Sequence, residues 1–261
     1  MDRAGIRARS SDDARASRDS ASQVTRATLG LREMLLRGAF RPGQRIAEIP
    51  LSKKLGVSRT PLRLAFEKLE HEGLVRALSN SGFAAAEFTI TDIWDAIETR
   101  GILEGAAARL AAERLKNPAQ LEPLRKINRA MEAISEINLE SFTRYLDLNK
   151  SFHEAIADLA NNSILRRAIQ QIYAFPFASP GSRLVVHKTL QGSKELIPLL
   201  QEHHRALIDA IEHREGSRAE SIAREHARMT RRNLEEAPTD SKHLDTIPGG
   251  YLIKGRSSER T

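Results

Sequence analysis

Three histidines in the second half of the chain, His153, His204 and His226, occupy positions that helical periodicity turns inward. His153 follows Asn149 by four residues within LDLNKSFHEAIADLA, a spacing that stacks two side chains on one helix face about 5 to 6 Å apart. His204 follows Leu200 by four residues and precedes Leu207 and Ile211, and His226 lies between Ile222 and Met229, so both fall on apolar stripes. One inward histidine is ordinarily a hydrogen-bonded core residue. Three imidazoles from three helices of a single bundle are hard to satisfy except around a metal ion or a polar ligand, because each buried polar atom left unpaired is costly. Periodicity alone leaves His203 able to flank the same stripe as His204. Arg100, seven residues after Ile93 and three from both Ile97 and Leu103, also faces inward. It serves either as the i,i+4 salt-bridge partner of Glu104 or as a clamp for a carboxylate ligand.

A second constellation lies upstream, in LSKKLGVSRTPLRLAFEKLEHEGLV from Leu51 to Val75. A short helix over Ile49 to Leu55 is stopped by Gly56. Ser58 stands at the N-cap of a further helix that begins near Pro61 and is closed by Gly73. Leu62, Ala65, Phe66 and Leu69 form the buried stripe of that helix, while Arg59, Thr60 and Arg63 make its first turn polar and basic. Such a turn reaches phosphates and base edges in a major groove of double-stranded DNA. The following GLVRALSNSGFAAAEF reads as a two-stranded ribbon about an Asn80-Ser81-Gly82 turn, with Gly82 allowing close backbone approach to a sugar-phosphate edge.

The elements that must carry these residues divide the chain in two. Residues 1–22 are poor in apolar side chains and read as a disordered basic tail. Residues 23–89 hold a first helix, marked by Val24, Ala27, Leu31 and Leu35, and the two-helix-and-ribbon unit. Residues 90–237 are helical in period, with helices expected near 91–115, 118–136, 139–160, 163–175, 194–213 and 217–235, and 238–261 read as a polar tail. The fold class is therefore mostly α, an N-terminal winged helix-turn-helix plus a C-terminal all-α bundle. Of the formal net charge of +7, residues 1–90 carry 16 Lys+Arg against 10 Asp+Glu, and the remainder is nearly balanced. The excess positive charge sits with the DNA-reading constellation. The absence of cysteine excludes disulfides and thiolate sites. No apolar run approaches the roughly 20 residues of a membrane span, and the N-terminus lacks a secretory h-region, so a cytoplasmic location without membrane contact is expected.

RPGQRIAEIPLSKKLGVSRTPLRLAFEKLEHEGLV resembles the N-terminal domain of GntR-superfamily regulators. The resemblance implies DNA contacts from Ser58, Arg59, Thr60 and Arg63, a wing-tip glycine at Gly82, and a backbone contact from Arg45. An arginine that the fatty-acid-responsive members place early in the second helix is Ile49 here, so that contact is not carried over. ETRGILEGAAARLAA, LNKSFHEAIADLANN and EHHRALIDAIEHREGSRAESIAREH resemble the FCD effector domain of one branch of that superfamily, in its six-helix, VanR-like form. This selects His204 over His203. It implies a divalent metal, zinc, nickel or similar, on Asn149, His153, His204 and His226, with Asn149 where the family has aspartate. It also implies a small carboxylate effector on those residues, for which Arg100 is the second anchor its spacing offers, and a homodimeric repressor or activator, repression being the expectation, whose dyad reads an inverted-repeat operator. Two other classes fit some of the residues: a metal-dependent enzyme built on the three histidines, and an architectural DNA-binding protein without a ligand. The first lacks a carboxylate spaced to act as general base, since Glu154 is turned about 100° from His153.

Overall fold

The computed structural model describes residues 21–136, 138–175, 177–181, 190–235 and 250–254. The expected disordered tail at 1–22 lies almost wholly outside these residues, as do 236–249 and 255–261 of the C-terminal tail. The chain forms two compact units that divide between Glu87 and Phe88.

The first unit opens with helix α1 over residues 21–36, which buries the stripe Val24, Ala27, Leu31 and Leu35. Helix α2 (Glu48–Leu55) ends at Gly56, whose φ of 62° gives the sharp turn into helix α3 (Arg59–His71). A side chain at such a φ would be strained, so the turn depends on glycine. Helix α3 starts two residues earlier than Pro61, and Ser58 holds its N-cap position without a side-chain capping bond. Leu62, Ala65, Phe66 and Leu69 are completely buried. Arg32 of α1 grips Glu72 at the end of α3 through both carboxylate oxygens, at 2.6 and 2.8 Å. The wing is a three-stranded antiparallel sheet, β1 (Arg45–Ile46), β2 (Val75–Ala77) and β3 (Phe83–Ala85), in the order β1-β3-β2. The register pairs Arg45 with Ala84 and Val75 with Ala85. Phe66 stacks on Phe83 at 4.5 Å and so fastens α3 to the sheet. The ribbon expected from sequence is thus joined by a third strand, which at two residues is too short to show a period.

The second unit holds six α-helices among its described residues: α4 (Ile90–Arg114), α5 (Glu122–Glu132), α6 (Leu139–Leu159), α7 (Ser163–Ala174), α8 (Leu190–Glu212) and α9 (Gly216–Glu235). Thr89 and Asp92 close a capping box at the start of α4. The helix expected over 118–136 is instead a 3-10 turn, Pro118–Leu121, followed by α5, because Asn117 and Gln120 cap the first and Pro123 opens the second. The core runs from Ala107, Ala108, Ala111 and Leu124 through Phe152, Leu207 and Ile211 to Ala219 and Ala223. Residues 250–254 correct the reading of a polar tail. Leu252 and Ile253 are buried, and Phe88 donates its N–H to Leu252 O at 2.8 Å and accepts from Lys254 N at 2.6 Å. An apolar triplet in a polar stretch carries no periodic signal, yet its burial gives these residues a fixed seat on the bundle. No helix among the described residues is long and apolar enough to cross a membrane.

Gly101 and Gly105 of α4 admit α9 to close contact. A Cβ at Gly101 would lie 2.9 Å from Ala227 Cβ, and one at Gly105 would lie 2.8 Å from Arg224 Cγ and 3.2 Å from the Glu220 carbonyl oxygen. Gly101→Val therefore overpacks the α4–α9 seam. It should destabilise the second unit by about 1 to 3 kcal/mol, read as a lower urea midpoint for Trp94 fluorescence; an unchanged midpoint would show that the seam opens freely.

Candidate functional site

On the first unit, α3 presents Arg59, Thr60 and Arg63 to solvent, with Ser58 exposed just before them. The apolar stripe has to face the core, and the 3.6-residue period then turns positions 59, 60 and 63 outward together. Arg63 is held loosely by Glu48 of α2, Nε to Oε2 at 3.3 Å, while most of its side chain stays exposed. In the wing, Ser81 and Gly82 both take positive φ, 63° and 94°. Arg45 donates to Ser81 O at 2.9 Å and lies against the Gly82 backbone, so it braces the turn from the neighbouring strand.

On the second unit, α6, α8 and α9 bring His153, His204 and His226 together. All are buried, and one ligating nitrogen from each lies within 4.8 Å of the others. His153 Nε2 and His226 Nε2 are 3.2 Å apart. Two ligands 2.0 to 2.1 Å from one tetrahedral ion would be separated by about 3.3 Å, so this donor pair already fits a shared metal. His204 Nε2 and His226 Nδ1 are buried without hydrogen-bond partners, and so is Asn149 Oδ1, one helical turn before His153. Asn149 is oriented by its Nδ2, which donates to Pro180 O at 3.0 Å. Among these four neutral donors, His204 Nε2 and Asn149 Oδ1 are the unsatisfied atoms that a divalent cation or a polar ligand shared with the His153–His226 pair would complete. His203 is only half buried and stands outside the group of three.

Arg100 and Glu104, both on α4, form a buried ion pair, Nε to Oε2 at 3.7 Å. Arg100 also donates to Ala178 O at 2.9 Å. Glu104 Oε1 accepts from Tyr173 of α7 at 2.6 Å, and its Oε2 is 3.5 Å from His153 Nδ1. A proton on Nδ1, facing this carboxylate, leaves the Nε2 lone pair for a ligand, which is the orienting role that outer carboxylates play at histidine sites. Gln201 sits beneath His204, Oε1 to Nδ1 at 3.5 Å, with its Nε2 unpartnered. Sequence reasoning named Glu104 only as the partner of Arg100, and it missed Tyr173 and Gln201. The i,i+3 spacing of Gln201 and His204 was a usable signal, but nothing local marks Tyr173.

Burial sets the protonation of the group. The His153 imidazole is lowered to about 3 by desolvation, with the Arg100 charge adding to it. His204 and His226 are pushed well below the usual histidine range, first by burial and then by the neighbouring imidazoles. Burial raises Glu104, against the opposing pull of Arg100 and Tyr173. At neutral pH the three rings are therefore neutral and have lone pairs to offer.

Residues 95–229 match the family model of the FCD domain, and residues 23–84 match that of the bacterial regulatory proteins of the gntR family. An uncharacterised helix-turn-helix transcriptional regulator of Bacillus subtilis, YdhC, is 33% identical over 144 residues, covering 54% of this chain and 62% of its own. The Nta operon transcriptional regulator of Aminobacter aminovorans is 35% identical over 133 residues, covering 51% and 61%. The matched stretches thus span about three fifths of these two relatives' own lengths. The galactonate operon transcriptional repressor of Escherichia coli is 25% identical over 235 residues, covering 82% of this chain and 98% of its own. Among solved structures, McbR/YncC of E. coli superposes with a TM-score of 0.59 at 22% identity, covering 82% of this chain and 97% of the other. At that identity the likeness is one of fold.

Proposed function

This chain belongs to the GntR family of bacterial regulatory proteins, in the branch that carries an FCD domain, and we propose that it is a ligand-responsive repressor that binds an inverted-repeat operator as a homodimer. The family is one of transcription regulators rather than enzymes. The observation that carries the reading is the pairing, in one chain, of an exposed basic turn on α3 with a buried histidine group whose polar atoms lack partners. In this reading Ser58, Arg59, Thr60 and Arg63 enter the major groove, and Arg45 and Gly82 bring the wing turn to the backbone. Two copies related by a dyad read two half-sites of a palindrome, since operator symmetry mirrors protein symmetry.

The sensing site, in the same proposal, is held by His153, His204, His226 and Asn149. A divalent metal bound there would supply positive charge and an open position for an anion. Glu104 Oε2, 3.5 Å from His153 Nδ1, favours a proton on that nitrogen and so leaves Nε2 to the site. Arg100 is the candidate second anchor, and its present partners, Glu104 and Ala178 O, define what an incoming carboxylate would compete with. A relative named for the galactonate operon supports a carboxylate effector, galactonate being itself a carboxylate.

The test begins with selection of duplexes from a random pool by the full-length protein. Enriched sequences should contain an inverted repeat. Arg59→Ala and Arg63→Ala should each weaken binding to them by about 1 to 3 kcal/mol, measured by fluorescence anisotropy at fixed salt. Parental affinity in both variants would remove α3 as the reading element.

A further inference from the structure

The outward face of α3 is not wholly polar. Leu64 is 41% exposed, although four other apolar side chains of the same helix are fully buried. It has no place on the packing stripe. Arg59, Thr60, Arg63, Leu64 and Glu67 together line one shallow hollow on the surface of the helix. Helical geometry puts Leu64 one turn beyond Thr60 and one turn before the exposed Lys68, on the outward arc about 100° round the helix from Arg63. A single exposed leucine on a protein surface is ordinary. One that shares an outward hollow with two arginines that approach DNA is a different case, because those charges bring the duplex against it and the contact then has to be made or left empty.

An apolar side chain in a major groove has a specific complement there, the C5-methyl group of thymine. We propose that Leu64 reads a thymine methyl in each operator half-site, making it a specificity-determining residue beside the arginines that supply affinity. The inference rests on α3 being the DNA-reading helix. Leu64 adds nothing to phosphate contacts, so its effect is confined to one base position and is insensitive to salt, unlike that of a phosphate-bound cation.

The experiment uses the full-length protein and the duplexes it selects. Each thymine of the selected repeat is replaced in turn by deoxyuridine, which keeps the pairing with adenine and removes only the methyl. In the parent protein, one thymine per half-site should show a loss of about four-fold on replacement, the value of one buried methyl-sized group. Replacement in both half-sites should multiply the losses. Leu64→Ala and Leu64→Gln, both on an outward position that leaves the buried stripe intact, should bind the thymine and uridine duplexes with equal affinity at that position. They should keep the parent's response at every other thymine. Arg63→Ala separates the two layers of the argument. If it and Arg59→Ala both bind as the parent does, α3 is not the reader. If it loses affinity while the Leu64 variants retain the parent's uridine penalty, or while no thymine shows a penalty in the parent, the assignment of Leu64 is overturned and the reading helix stands.

Discussion

Nickel- or zinc-loaded protein is expected to bind a small carboxylate, the effector class proposed above, on the order of 100-fold more tightly than chelator-stripped protein, because coordination of an anion to a metal centre is worth several kcal/mol. The expectation follows from a charge count around the proposed site. His153, His204 and His226 are neutral, and Asn149 offers an amide oxygen rather than a carboxylate. Glu104, the carboxylate that faces His153, is already paired with Arg100. A divalent charge held by these donors would be buried without compensation, an unfavourable state that an incoming anion relieves. Asn149→Asp supplies the missing charge from the protein. It should tighten the metal, read by competition with a chromogenic chelator, and weaken the anion. The substitution also replaces the amide that donates to Pro180 O by a carboxylate oxygen facing that carbonyl, so the tightening of the metal has to exceed a local repulsion. Calorimetric titration of small carboxylates, galactonate among them, into native, chelator-stripped and Asn149→Asp protein decides the matter. Equal affinity in all three would leave the histidines as hydrogen-bonding groups of an ordinary polar pocket.

The features of this chain that are legible in its sequence are those with a local period. The burial of His153, His204 and His226 follows from their spacing to leucines and isoleucines on their own helices, and the outward turn of α3 follows from its apolar stripe. The six helices among the described residues of the second unit could be read from residues 91 to 235 because each repeats every three to four residues for several turns. What escaped has no such repeat. Strand β1 is two residues long, and its pairing partner Ala84 is 39 positions from Arg45. The break at Pro118–Leu121 depends on a reciprocal cap between Asn117 and Gln120 that resembles an ordinary helix start. The carbonyls of Ala178 and Pro180, which fix Arg100 and Asn149, belong to backbone whose conformation includes a positive φ at Phe177. Tyr173 meets Glu104 across 69 positions. Long-range polar pairs of this kind become visible only when helices are packed, and at this site they determine which lone pair of His153 faces its neighbours.

The same burial that readies the histidines for a ligand should make the chelator-stripped second unit acid-labile. In the unfolded chain a histidine titrates near 6.5. In the folded protein His153 is lowered to about 3, and His204 and His226 are driven in the same direction by desolvation and mutual repulsion. As the pH falls through 6.5 the unfolded chain takes up protons that the native bundle refuses, so stability decreases toward acid and is fully restored above the unfolded value. Each such proton is worth about 1.4 kcal/mol per pH unit. Glu104 acts in the opposite sense: burial raises it, so the native state keeps a proton there that the unfolded chain gives up above about 4.5. Two to three net protons then correspond to a slope of roughly 3 to 4 kcal/mol per unit below pH 6.5, against a total stability on the order of 5 to 15 kcal/mol for a domain. The single tryptophan, Trp94 on α4, reports this unit alone. Urea unfolding followed by its fluorescence at pH 7.5, 6.5 and 5.5, with chelator present throughout, should give midpoints that fall steeply in the lower interval and little in the upper. His226→Gln removes one titrating ring and should flatten the slope by about one proton, even if the variant is less stable at every pH. A slope unchanged by that substitution would mean that His226 is solvated in the native bundle and that the buried histidine group does not govern acid sensitivity.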